Sequence, residues 1–163
     1  MTAARDDAKI APPPPGGAPM FQRILVPTDG SELTGRAVAT AVGLAKTLGA
    51  EIYTLCVKEP FPYGAVAEMQ PTPPQEFFDA QERTAARHVR AVADACDAAG
   101  VVCHATTVEG LQPWEAIVAH AAEQRCDLLV MGSHGRSGLA SLFLGSETND
   151  VLKHTTVPVL VVR

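Results

Sequence analysis

"LLVMGSHGRSGLASLFLGS", residues 128–146, is the most informative segment of this chain. It begins with four apolar residues, which is typical of a buried strand, and continues into a segment with four glycines. Glycine is costly to order, so a cluster of it marks a place where a ligand or another backbone comes close. A helix pattern follows at about Ser146. The stretch therefore predicts a ligand site at the carboxyl end of a strand.

Strand and helix patterns alternate on both sides of this segment. Short apolar runs predict five strands, at 24–26, 52–57, 101–108, 127–131 and 157–162. Apolar residues at helical spacing predict four helices between them, the last from about Ser146 to His154. Such alternation predicts an α/β fold, a single doubly wound parallel sheet with helices on both faces.

The first nineteen residues differ from the rest. "APPPPGGAP", residues 11–19, can hold neither a helix nor a sheet ladder. We predict a disordered, Pro-rich arm over residues 1–19 and one domain over residues 20–163. The arm is expected to be dispensable for folding.

Composition excludes several classes of partner. The net charge is −5 and no basic cluster is present, which argues against nucleic-acid binding. No apolar run approaches the roughly 18 residues of a membrane helix. The N-terminus lacks the basic start and apolar centre of a signal peptide, so we predict a cytoplasmic protein.

Cysteine and histidine spacing gives no metal signature. The four cysteines include no CxxC, and we predict that they are reduced and buried. Cys56 and Cys103 lie in separate strands, which leaves open a redox pair between them. The five histidines have no ligand spacing, so no metal site is predicted. No G-x-S-x-G motif is present, and spacing alone leaves enzymatic activity open.

The glycine segment has the parts of a phosphate site. Gly132 permits a turn directly after the strand, while Gly145 and Ser146 begin the next helix, whose free N–H groups attract anions. Arg136 adds positive charge. A plain loop with Ser146 as a helix cap is the alternative. The Walker lysine is absent and the dinucleotide G-x-G-x-x-G spacing does not occur.

The glycine spacing resembles that of a known family. Gly132, two residues, Gly135, nine residues, Gly145 and then Ser146 form the phosphate motif of the adenine-nucleotide-binding universal stress proteins. The segments "ILVPTDGSE" (24–32) and "VPVLVVR" (157–163) are similar to that family's two ends. The resemblance implies strand order 3-2-1-4-5, the adenine nucleotide alpha hydrolase-like architecture.

The same resemblance implies a nucleotide site. It places Pro27, Thr28 and Asp29 at adenosine, the backbone of Val57 at adenine and the glycine segment at ribose and phosphates. The positions are Pro27, Thr28, Asp29, Val57, Met131, Gly132, Ser133, His134, Gly135, Arg136, Gly145, Ser146, Glu147 and Thr148. The expected ligand is ATP, or ADP or AMP, with Mg²⁺ or Mn²⁺ carried by the nucleotide.

Three of these positions have alternatives. Asp29 suits hydrogen bonds from the nucleoside or a phosphate-bound Mg²⁺, but an Asp-Gly sequence also forms a simple Asx turn. His134 is as well explained by a side chain in solvent. Glu147 would repel phosphate if it faced the ligand, so either it points away or a metal ion is required.

Three functions remain open. The first is a homodimeric, nucleotide-responsive module in the stress response. The second is a slow ATPase or autokinase that uses the same site, and the third is a stress protein that no longer binds nucleotide and acts through protein contacts. The apolar strand 157–162 would lie at a sheet edge, and we predict that it pairs with itself in the dimer. The protein partner is not evident from the sequence.

Overall fold

The computed structural model describes residues 20–60, 75–133 and 144–163. The predicted arm, residues 1–19, lies outside them. The elements in chain order are β1 (Arg23–Pro27), α1 (Glu32–Leu48), β2 (Glu51–Lys58), α2 (Gln75–Ala99), β3 (Cys103–Glu109), α3 (Pro113–Glu123), β4 (Leu128–Gly132), α4 (Ser146–His154) and β5 (Val159–Val162). Within these described stretches, no helix combines the length and apolar character needed to cross a membrane.

The five strands form one parallel sheet in the order β3-β2-β1-β4-β5, which confirms the expected topology. β1 lies at the centre and pairs with β2 on one side and with β4 on the other. Strands β2 and β3 therefore lie on one side of β1, and strands β4 and β5 lie on the other. The carboxyl ends of β1 and β4 mark the reversal, where sheets of this kind form a crevice.

Helices cover both faces of the sheet, because successive side chains of a strand point to opposite sides. Ile24 and Val26 of β1 face α1 and α2, where they pack with Val130 of β4. Leu25 and Leu129 face α3 and α4, together with other apolar residues of that layer. All five of these side chains are fully buried. The central strands are thus apolar on both faces, as a doubly covered parallel sheet requires.

Two strands begin later than their apolar runs. β3 starts at Cys103 rather than residue 101 because the Val101 N–H closes the end of α2, donating to the Cys96 carbonyl at 2.9 Å. β5 starts at Val159 rather than residue 157. There the Val157 N–H donates to the Thr155 hydroxyl at 3.1 Å, and Pro158 has no N–H to add to the ladder.

The suggested pairing of Cys56 with Cys103 is wrong. The parallel register sets Cys56 opposite Thr107 and Cys103 opposite Ile52. The two cysteines are therefore four positions apart along the ladder, about 13 Å at the rise of a strand. Cys103 packs instead beside Cys96, and burial raises the pKa of the Cys96 thiol to about 12. Both are free thiols.

Candidate functional site

A cavity of about 420 Å³ opens where β1 and β4 separate. Ten of the fourteen predicted site positions line it: Pro27, Thr28, Asp29, Val57, Met131, Gly132, Gly145, Ser146, Glu147 and Thr148. Ser133 is buried directly after β4. His134, Gly135 and Arg136 lie outside the described residues. The strand-order reversal thus gathers residues that are more than a hundred positions apart in the sequence.

Asp29 organises the turn between β1 and α1. Its Oδ1 accepts hydrogen bonds from the Ser31 N–H at 2.9 Å and from the Thr34 hydroxyl at 2.7 Å. The Asx turn proposed as the simple alternative is therefore present. The two hydrogen bonds fix the orientation of this carboxylate before any ligand arrives, and the carboxylate lines the cavity.

Backbone hydrogen bonds bring the two ends of the glycine segment together. The Gly145 N–H donates to the Ser133 carbonyl at 2.7 Å, although the two residues are twelve positions apart. The Thr148 hydroxyl donates to the Gly132 carbonyl at 2.9 Å. The first and last glycines of the motif are thereby held at one place on the cavity wall. The Thr148 hydroxyl therefore helps to position this wall, and its proton is already donated to the Gly132 carbonyl.

Three helices begin at the cavity, and their N-termini differ in how they are capped. The Ser31 hydroxyl accepts from the Thr34 N–H of α1 at 3.3 Å. At α3, Glu147 Oε2 accepts from the Trp114 N–H at 2.9 Å. At α4, Gly145 is the N-cap and provides no side-chain acceptor. Among the described residues no side chain caps the first-turn N–H groups of α4, so these groups are available to an anion.

Val57 presents backbone groups to the cavity rather than a polar side chain. In β2 the Leu55 carbonyl faces β1, where it accepts from the Thr28 N–H, and the Lys58 carbonyl faces β3. Since peptide groups alternate along a strand, the N–H and C=O of Val57 face the β1 side. Pairing with β1 ends at Pro27, opposite Leu55. One donor and one acceptor therefore stand next to each other on an open strand edge.

The described part of the cavity wall is acidic. Asp29, Glu59 and Glu147 contribute carboxylates, whereas Lys58 is the one Lys or Arg found there among described residues. Lys58 pairs with Glu82 at 2.5 Å and holds the pKa of that carboxyl below its usual range. In the described ranges no cluster of three His, Cys, Asp or Glu side chains could hold a metal ion.

Sequence inspection missed one wall of the cavity. Gln81, Thr84 and His88 of α2 line it, together with Cys56 of β2. Their spacing of three and four residues places the α2 residues on one helical face, a signal that was available in the sequence. This face closes the cavity because of how α2 packs across the sheet. Local sequence patterns do not contain that information.

A model of the universal stress protein family matches residues 20–163. The chain belongs to the universal stress protein family. A relative from the same family, universal stress protein MJ0531 of Methanocaldococcus jannaschii, is 34% identical over 148 residues, which cover 90% of this chain and 85% of that protein.

Solved structures of the family share the fold. The structure of MJ0577, described as a test case for structure-based assignment of function, aligns with a TM-score of 0.74 at 29% identity, covering 88% of this chain and 96% of the other. A universal stress protein in complex with cAMP aligns with a TM-score of 0.68 at 27% identity, covering 88% and 98%. The family thus includes a member solved with an adenine nucleotide.

Proposed function

We propose that this universal stress protein binds ATP in the cavity between β1 and β4 and acts as a nucleotide-responsive module in the stress response. The observation that carries the proposal is that ten predicted site positions, drawn from both halves of the sheet, line one cavity. Its volume of about 420 Å³ falls in the range of small-molecule sites. The cAMP complex of a related universal stress protein supports an adenine nucleotide as the ligand.

The base is expected at the end of β2. Adenine carries a donor, its amine, beside an acceptor, its N1 atom. The open backbone groups of Val57 offer the complementary pair, because the carbonyl accepts and the N–H donates. Val57 and Leu55 also place apolar side chains on the α3 side of the sheet, against Ile117. This wall suits a planar, mostly apolar ring.

The phosphates are expected at the start of α4. No described side chain caps its first-turn N–H groups, and the helix dipole adds positive potential there. Glu147 uses one carboxylate oxygen to cap α3, where it accepts from the Trp114 N–H. The remaining acidic groups on the wall favour a nucleotide that arrives with Mg²⁺ or Mn²⁺. Arg136, next to Gly135 in the motif, would add positive charge to a wall on which the described Lys58 already pairs with Glu82.

Calorimetric titration with ATP and Mg²⁺ tests the proposal, with one site per chain expected. Gly135→Val should abolish binding, because the motif places a phosphate where the new side chain would project. Gly43→Val is the matched control, since Gly43 lies on α1 with open space around it. A wild-type protein that shows neither heat nor a thermal shift at millimolar ATP would contradict the proposal. Phosphate release that disappears in the Gly135 variant would assign hydrolysis to the same site.

We further propose that the protein is a homodimer through β5. The Pro158 and Val162 carbonyls accept hydrogen bonds from the β4 side. By alternation, the peptide groups of Val159 and Val161 point outward from the sheet edge. Leu160 is 38% exposed although it is a large apolar residue. Antiparallel pairing of two copies of β5 about a two-fold axis would satisfy these backbone groups and cover the apolar edge.

A further inference from the structure

The inward face of α2 changes character along its length. Its carboxyl-terminal half is buried and apolar, with Val89, Val92 and Cys96 against the sheet. Before Val89, Gln81, Thr84 and His88 lie on the cavity side of the helix, all of them half-buried. A polar side chain on the inner face of a helix needs a polar neighbour or a polar ligand. The change from apolar to polar therefore occurs where α2 stops covering the sheet and begins to line the cavity.

The position of α2 over the cavity is fixed by contacts on its other side. Glu82 accepts hydrogen bonds from Lys58 Nζ of β2 at 2.5 Å and from the Thr107 hydroxyl of β3 at 3.2 Å. Ala85 packs with Cys56 and Val89 in a small buried cluster. These contacts set the rotation of the helix. The adjacent polar residues are therefore held toward the cavity without a ligand, which lowers the entropic cost of binding one.

His88 is held from two sides. Its ring lies against Gly30, where an added Cβ would come within 2.4 Å of Nε2. Its Nδ1 lies 3.8 Å from the Cys56 sulfur on the opposite side. The imidazole thus occupies a fixed place between the β1–α1 turn and β2. Its neighbour in the turn, Asp29, lines the same cavity.

We infer that Gln81, Thr84 and His88 form a nucleoside-reading wall, a set of side chains that contact the base and ribose and select among nucleosides. The inference rests on the proposed function and extends it to a wall that the phosphate motif does not include. The three residues line the cavity beside Val57 and Lys58 at the end of β2. The uncapped N-terminus of α4 belongs to the other half of the sheet. The wall therefore contacts the nucleoside, whereas the phosphates bind at the N-terminus of α4.

Thr84→Val tests the inference, because valine keeps the shape of threonine and removes only the hydroxyl. Thr47→Val is the matched control: the Thr47 hydroxyl is exposed on α1 and donates to the Gly43 carbonyl of the same helix. Calorimetry is carried out with adenosine, ATP and inorganic tripolyphosphate, the last as a probe of the phosphate site alone. Gln81→Leu and His88→Leu complete the series.

Each wall variant should weaken the affinity for adenosine and for ATP by the same factor, about 2- to 12-fold for one hydrogen bond. The affinity for tripolyphosphate should not change. The wall variants should also change the ratio of adenosine to inosine affinity, whereas Thr47→Val should not. Wild-type protein that binds none of the probes would overturn the proposed function. Wild-type protein that binds ATP, with wall variants that bind adenosine equally well or lose tripolyphosphate in parallel, would overturn this inference alone.

Discussion

Glu147 Oε2 accepts a hydrogen bond from the Trp114 N–H at 2.9 Å, so a residue of α4 caps the N-terminus of α3. The residue at the N-cap position of α3, Gln112, makes no side-chain cap bond of its own. Trp114 also stacks on His154 of α4, with ring centroids 4.2 Å apart. Helices α3 and α4 are thus joined at both ends of α4. A carboxylate that would repel phosphate if it faced the ligand thus has a structural use.

Glu147→Ala should destabilise the protein by about 1 kcal/mol, the usual cost of losing a helix cap. Glu147→Gln should cost much less, because the amide oxygen can still accept from Trp114. Chemical denaturation followed by circular dichroism measures both values. Glu123→Ala, at the other end of α3, serves as the control. Equal stabilities of the Ala and Gln variants would show that the hydrogen bond contributes nothing.

Gly30→Ala should be more costly than Gly49→Ala. Both glycines have positive φ, +75° and +68°, and an alanine in that region costs about 1–2 kcal/mol. Only at Gly30 would the new Cβ also overlap the His88 ring. Combining Gly30→Ala with His88→Ala should reduce the penalty for the glycine substitution to that measured at Gly49. A double-mutant cycle of unfolding free energies makes the comparison, and strict additivity would contradict the proposed contact.

His120 should make stability depend on pH. It is 7% exposed, its Nε2 has no hydrogen-bond partner in the described part of the chain, and burial lowers its pKa below the usual 6.5. The unfolded chain therefore takes up a proton more readily than the folded chain. The free energy of unfolding should fall as the pH drops below about 6.5, and this loss should cease below the folded pKa.

His120→Leu should remove that part of the pH dependence and raise stability at pH 7 by about 1 kcal/mol, since it deletes an unsatisfied buried nitrogen. Denaturant titrations between pH 4.5 and 8, run in parallel on wild type and variant, give the two curves. His104→Gln, on the exposed side of β3, is the control. Parallel curves for wild type and His120→Leu would exclude His120 as the source.

Leu160→Lys should shift the proposed dimer toward monomer, because an unpaired lysine is strongly disfavoured at an apolar seam. The side chain is already partly exposed within one chain, so the fold itself should tolerate the change. Light scattering after size-exclusion chromatography should give about twice the 17.1 kDa chain mass for wild type and a lower mass for the variant. Leu111→Lys, at a position that is 85% exposed, is the control. A monomeric wild type at micromolar concentration would rule out the dimer.

The alternation of strands and helices predicts most of the fold, because each apolar run or helical stripe carries its own period. The helix Ser146–His154 is confirmed at the predicted residues. The strand order came from family resemblance, since local periods do not say which strands are neighbours. The starts of β3 and β5 were missed because hydrogen bonds to Cys96 and Thr155 compete with the ladder.

The site was predicted unevenly for a physical reason. Glycine spacing and the segment after β1 are local signals, so the sequence could point to Asp29 and Gly145, which line the cavity. The polar face of α2 was missed because its meaning depends on packing across β2. The interaction of Glu147 with Trp114 spans 33 positions and follows from the docking of two helices, which no spacing rule describes.

Ser133 connects the cavity to the sheet edge through its own peptide groups. Its N–H donates to the Val162 carbonyl of β5 at 2.8 Å, and its carbonyl accepts from Gly145 at the start of α4. If ATP binds beside α4 and a second chain pairs with β5, the two events share this junction. Thermodynamic linkage then requires reciprocity: whatever factor ATP contributes to self-association, self-association contributes to ATP affinity. The concentrations of nucleotide and of protein would then both shift the same equilibrium between monomer and dimer.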